Sequence, residues 1–110
     1  MTFDEYQKKA LTTAIYNENP VLSKTIWALA INGEAGEVAE KWKKIVTKKQ
    51  GVFTEQDAEE MGKELGDVLW YMALLAHDLG LSFDDIAQKN LSKLKSRQER
   101  DLIFGEGDNR

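Results

Sequence analysis

The chain has 110 residues, 42% of them hydrophobic and 31% charged, with a formal net charge of −4 and no cysteine. That length builds one core rather than two, the missing thiols exclude disulfides and thiolate metal sites, and the acidic balance argues against sequence-independent binding of long nucleic acid. No stretch approaches the ~20 apolar residues of a membrane span, and Met1-Thr2-Phe3-Asp4-Glu5 has neither the basic nor the apolar region of a secretory signal, so a single soluble domain over residues 1–110, in the cytoplasm, is expected.

Strand signals are nearly absent, and helix signals follow one another along the chain. Thr2 and Glu5 form a capping box for a first helix that the pattern carries to about Glu18, with Phe3, Tyr6, Ala10 and Ala14 inward. Asn17-Glu18-Asn19-Pro20 breaks it. A second helix spans about Val21 to Thr47, with Trp27, Ile31, Val38, Trp42 and Ile45 at three- and four-residue steps. Gly33 and Gly36 lie inside it and are able to loosen or kink it near Glu34. A turn centred near Gly51 leads to Thr54, the cap of a third helix that stops at Gly80. Its stripe is Ala58, Met61, Leu65, Val68, Leu69, Met72, Leu75, Ala76 and Leu79. Ser82 and Asp85 open a fourth helix to about Arg100, with Phe83, Ile86, Ala87, Leu91 and Leu94 facing the core. Residues 101–110 form a short glycine-rich tail. The expected fold is all-α, a four-helix bundle with short connections.

One feature breaks the apolar pattern. Glu34 occupies the step between Ile31 and Val38, a position that periodicity assigns to the core. With Glu37 it forms an i,i+3 pair, and Glu64 with Asp67 forms another, each pair on one helix face about 5–6 Å apart. Glu34 precedes Gly51 by 17 residues and Asp67 follows it by 16, while Glu37 and Glu64 stand 14 and 13 away. An antiparallel hairpin therefore brings the pairs level to within about 1.5 Å of helix rise. Four facing carboxylates repel unless a positive charge lies between them, and a hard divalent cation with oxygen ligands suits them. Gly33, Ala35, Gly36 and Gly66 leave room for a ligand beside them. Acidic pairs at this spacing also occur simply as solvated faces, as Glu37/Glu40 and Asp57/Glu60 illustrate.

Basic residues complete the polar inventory. Asn90, Lys93 and Arg97 share a face of the fourth helix, either as a phosphate clamp or as a basic end complementing the helix dipole. Lys41 and Lys44 extend the face of Glu37 and are placed to meet phosphates overhanging a metal. Arg110 closes a tail whose glycines let backbone approach an anion, unless the tail is merely frayed. The single histidine, His77, leaves little for Ser-His-Asp chemistry, neither Glu-x-x-His repeat of a di-iron bundle is present, and no Walker or Rossmann glycine pattern occurs.

Gly33-Glu34-Ala35-Gly36-Glu37, then Glu64-Leu65-Gly66-Asp67-Val68-Leu69-Trp70-Tyr71, then Asn90-x-x-Lys93-Leu94-x-x-Arg97, together resemble the MazG-like all-α nucleoside triphosphate pyrophosphohydrolases over almost the whole chain. The resemblance implies hydrolysis of a (deoxy)nucleoside triphosphate to monophosphate and pyrophosphate. It also implies Mg²⁺, with Mn²⁺ able to substitute, held by Glu34, Glu37, Glu64 and Asp67. Substrate contacts fall to Asn90, Lys93 and Arg97, with Lys41, Lys44 and Arg110 assisting, and assembly is as a homodimer or homotetramer whose sites draw on more than one subunit. Direct attack by metal-activated water is the simplest mechanism because no side chain is an evident nucleophile, and one of the carboxylates, with Glu37 a candidate, is available to accept its proton. Gln98-Glu99-Arg100-Asp101 departs from the Tyr-Pro of some relatives. Two other readings stand beside this one: a phosphoribosyl-ATP pyrophosphatase, disfavoured by the Gly-Asp-Asn-Arg ending, and a non-enzymatic helical dimerisation or regulatory module.

Overall fold

Each helix begins where a short polar side chain satisfies backbone N–H groups that the helix itself leaves unpaired. The computed structural model describes residues 1–110 and contains four helices and no strand: α1 (Phe3–Leu11), α2 (Pro20–Lys48), α3 (Glu55–Asp78) and α4 (Phe83–Glu99). Thr2 accepts from the Glu5 N–H while Glu5 accepts from the Thr2 N–H, and Thr54 and Asp57 repeat the arrangement at the start of α3. Asn19 caps α2 with Pro20 at its first position, and Ser82 caps α4. At the other end of α3, Gly80 at φ 73° takes the left-handed turn, and the Leu81 N–H reaches the Ala76 carbonyl at 2.8 Å.

α1 is shorter than its pattern suggests, ending at Leu11 rather than near Glu18. The hydroxyls of Thr12 and Thr13 donate to the carbonyls of Lys9 and Ala10 at 2.7 and 2.9 Å, an alternative to the helical ladder that threonine offers readily. Ala14 still packs against the core. α2, by contrast, runs unbroken through Gly33 and Gly36.

The frame of the molecule is the antiparallel α2–α3 hairpin, turned through Gln50 (φ 54°) and Gly51 (φ 78°). α1 lies against α3 and α4, and α4 touches the end of α3 but not α2. The core therefore gathers at one end, around Trp27, Ala73, Leu74, Ala76, Phe83 and Ala10. Trp27 packs against Trp70 and Tyr71 with ring centroids 6.0 and 5.9 Å apart, and its indole N–H donates to Asp78 at 2.8 Å. Gln7, buried on α1, donates to the carbonyls of Ala73 and Leu81 and so ties α1 to the α3 terminus. The first turns of α1 and α4 cap one another: Asp84 accepts from the Phe3 N–H and Asp4 from the Asp84 N–H. The bond from the Asp84 N–H, then that from the Ser82 hydroxyl, holds the Asp4 carboxyl below its ordinary range.

Only 11 of the 110 residues are buried, so the apolar stripes are only partly used within the chain. On α4, Phe83 is buried while Leu91 and Leu94 face outward; on α3, Leu65 and Met72 do the same, as does its C-cap Leu79. Trp42 is 54% exposed, stacked only on Phe53, and Leu29 is 70% exposed. α2 and α4 stand on either side of an apolar groove of about 200 Å³ lined by Ile31, Met72, Leu75, Leu81, Phe83 and Ile86, among others. No helix is long and apolar enough to cross a membrane.

Candidate metal centre

The hairpin brings Glu34 of α2 level with Glu64 and Asp67 of α3. One carboxylate oxygen from each of the three lies within 4.8 Å of the others. Glu34 and Glu64 are half-buried in the cleft between the helices, and Asp67 stands at its open edge. Glu37, one turn along α2, is exposed and lies outside that group of three, though its charge is among those acting on Glu34. Partial burial, then the charges of Asp67, Glu64 and Glu37, push the Glu34 carboxyl above its ordinary range. Hard oxygen donors crowded with too little compensating charge fit a divalent cation.

Glycines bare the helix backbone around these acids. A Cβ at Gly33, Gly36 or Gly66 would meet nothing within 4 Å. Glycine within a helix costs about 1 kcal/mol relative to alanine, and no close packing inside the protomer offsets it. The open space at all three positions lies beside the carboxylates.

Lys41 is the cation nearest the cluster. Its ammonium donates to Glu64 at 2.8 Å, with the Glu60 carboxylate 3.5 Å away. The hydrogen bond to Glu64, followed by the charges of Glu64 and Glu60, raises the Lys41 pKa despite the opposing cost of burial. Lys44 lies one turn further, 4.0 Å from Glu40. With Lys41, Lys48 and Lys49 it lines a hollow of about 240 Å³ that also includes Ile45, Asp57 and Glu60.

The α4 residues meet the tail. Lys93 and Arg97 both bind the Asp108 carboxylate, at 2.8 and 3.1 Å, and Arg97 also donates to the Asp108 carbonyl. Arg97 is 4% exposed, with its Nε buried and unpartnered. Asn90 is exposed on the same helix. Arg110 donates to the carbonyls of Leu102, Ile103 and Gly107, so the tail wraps its own guanidinium. A Cβ at Gly105 would come within 2.7 Å of Arg110 Cδ, so a larger residue there would require the Arg110 side chain to shift. Within the chain, then, the acids and Lys41 form one group while Lys93, Arg97 and Arg110 form another with the tail. Asp108 was not singled out by spacing; a lone acid eleven residues beyond Arg97 carries no periodic signal.

A family model described as the MazG nucleotide pyrophosphohydrolase domain matches residues 23–101. The chain belongs to that family. The matched span contains both acidic pairs, together with Lys41, Lys44, Asn90, Lys93 and Arg97. Over 114 aligned positions, covering the whole of both chains, the protein is 42% identical to "Gene 37 protein" of Mycobacterium phage L5. No solved structure matches this MazG chain.

Proposed function

We propose that this protein is a Mg²⁺-dependent nucleotide pyrophosphohydrolase that converts a (deoxy)nucleoside triphosphate to its monophosphate and pyrophosphate, in cytoplasmic nucleotide-pool housekeeping. The observation that carries the reading is the convergence of Glu34, Glu64 and Asp67 oxygens within 4.8 Å across the hairpin of a MazG-family domain. A triphosphate is strongly anionic and three bare carboxylates repel it, so substrate and site require a cation between them. Bound there, Mg²⁺ would supply charge neutralisation, polarisation of phosphoryl oxygens and activation of water at neutral pH; Mn²⁺ has similar ligand preferences.

The chain's own residues supply the rest. Glu34, Glu64 and Asp67 hold the cation, Glu37 completes the ligand set from one turn away, and a carboxylate of this group accepts the proton of the attacking water. Lys41 and Lys44 meet phosphate oxygens. Lys93 and Arg97 bind phosphate where the Asp108 carboxylate now lies, Asn90 contacts sugar or phosphate, and Arg110 shapes the tail that delivers this group. The exposed apolar surface of Trp42, Leu29 and the α2–α4 groove, with the uncovered glycines at the site, supports assembly into a homodimer or homotetramer that closes the cleft.

A screen of the common nucleoside and deoxynucleoside triphosphates with Mg²⁺, reading both pyrophosphate and orthophosphate, tests this reading. Pyrophosphate release from at least one of them is expected. Orthophosphate alone, or no turnover with any nucleotide or divalent metal, contradicts it.

A further inference from the structure

Lys41 has a position that a simple phosphate contact does not explain. It projects from α2 across the hairpin onto α3, its side chain 30% exposed, and its ammonium is 2.8 Å from Glu64, whose side chain is 16% exposed. A second anchor comes from Glu60, through its carbonyl at 3.4 Å and its carboxylate at 3.5 Å. Glu64 is therefore a shared group, ion-paired to Lys41 and one of the three carboxylates that converge at the candidate metal centre. On its other side Lys41 forms part of the wall of the basic hollow with Lys44, Lys48 and Lys49. One ammonium stands at the boundary between an acidic cluster and a basic basin.

We infer that Lys41 is a resident counter-cation that makes the site discriminate against bare divalent metal and in favour of metal already complexed to polyphosphate. The inference rests on the reading of Glu34, Glu64 and Asp67 as metal ligands. A unit positive charge one carboxylate away from a bound dication opposes it, and removing that charge strengthens binding of the free ion by roughly three- to tenfold at moderate salt. A metal–triphosphate complex carries net negative charge, so the same ammonium attracts it. Lys41 need only turn from Glu64 toward the phosphate oxygens, whose chain then extends over the lysines of the hollow. The consequence is that the two affinities respond to Lys41 with opposite signs. A side chain that merely braced the hairpin would lower both together.

Binding of Mn²⁺ to the full chain, followed by loss of the free-ion paramagnetic resonance signal, reads this directly. The measurement is made with Mn²⁺ alone, and binding of preformed Mn²⁺ complexes of α,β-imido analogues of the four common deoxynucleoside triphosphates, whose metal is already lost from the free-ion signal, is followed by titration calorimetry. Lys41→Met is expected to bind free Mn²⁺ three- to tenfold more tightly and the analogue complexes at least threefold more weakly. Lys41→Gln, which keeps hydrogen-bond donors without the charge, should show the same pattern, and Lys41→Arg should restore the wild-type values. Lys43→Met, whose lysine pairs only with Glu40 on the exposed side of α2, should change neither. Affinities that move together, or that do not move, in the folded Lys41→Met or Lys41→Gln protein overturn the role given to Lys41 while leaving the metal centre intact. A wild-type protein that binds no Mn²⁺ in either form overturns the metal reading itself, and this inference with it.

Discussion

Glu34 and Asp67 lie on different helices, yet their carboxylates converge within 4.8 Å at the level of Glu64. Burial and this crowding raise the Glu34 pKa. The folded state thus holds the Glu34 proton more tightly than the unfolded state, so its contribution to stability is greatest at low pH and is lost as pH rises from the ordinary carboxylate range through the raised value. Thermal melts should show metal-free protein losing stability over that interval. Added Mg²⁺ should restore stability above it and have little effect below, where protons compete for the same oxygens. A Mg²⁺ effect that persists unchanged under acid conditions would count against these ligands.

The turn side of the hairpin has the opposite pH dependence. Asp57 is lowered to about 2 by its hydrogen bond from Lys49, then by the Thr54 N–H and hydroxyl. Its contribution is present above the ordinary carboxylate pKa and lost as pH falls toward about 2. Thr54→Ala removes the other half of the capping box and should cost about 1 kcal/mol, lowering Tm by roughly 4–8 °C, while Thr54→Ser should cost little. Equal melting temperatures for all three proteins would show that the cap contributes nothing to the start of α3.

The local signals in the sequence were legible because they depend on a few neighbouring residues. Thr2 with Glu5, Thr54, Gly80, and Ser82 with Asp85 each mark a helix end that the structure places within a residue or two. The level pairing of Glu34 with Asp67 was legible too, because a short turn fixes the register of an antiparallel hairpin. Long-range polar contacts were not. Asp78 accepts from both Trp27 and Tyr16, and Asp4 and Asp84 cap each other's helices, through packing that no periodicity reports. The same holds for Lys41 on Glu64 and Asp108 on Arg97. The outward stripe of α4 was misleading for a related reason: Leu91 and Leu94 have helical core spacing, but α2, which would have to cover them, does not reach α4.

Lys93 and Arg97 now hold the Asp108 carboxylate, and they are expected to exchange it for phosphate. Lys93→Ala and Arg97→Ala should weaken triphosphate binding more than monophosphate binding, because charge-assisted contacts depend on the charge presented. Asp108→Asn should spare triphosphate binding. Titration calorimetry distinguishes the outcomes. Equal losses for the two nucleotides would assign these residues to sugar or base contact, and no loss would leave them as anchors of the tail.

Light scattering at micromolar concentration should report a dimer or a tetramer. The exposed Trp42, Leu29 and Leu65 and the apolar α2–α4 groove offer the apolar surface that subunit contacts would cover. A monomer with full activity would show that every group required for turnover belongs to one chain.

The most direct test of the metal centre is pyrophosphate release with saturating Mg²⁺ by the wild type and by Glu34→Gln, Glu37→Gln, Glu64→Gln and Asp67→Asn. Each variant removes one charge with little change of shape. At least a hundredfold loss of turnover is expected in all four, with folds retained and, for Glu34→Gln, a metal-free protein at least as stable as the wild type at neutral pH. Near-normal turnover in any two of them would contradict the four-ligand assignment.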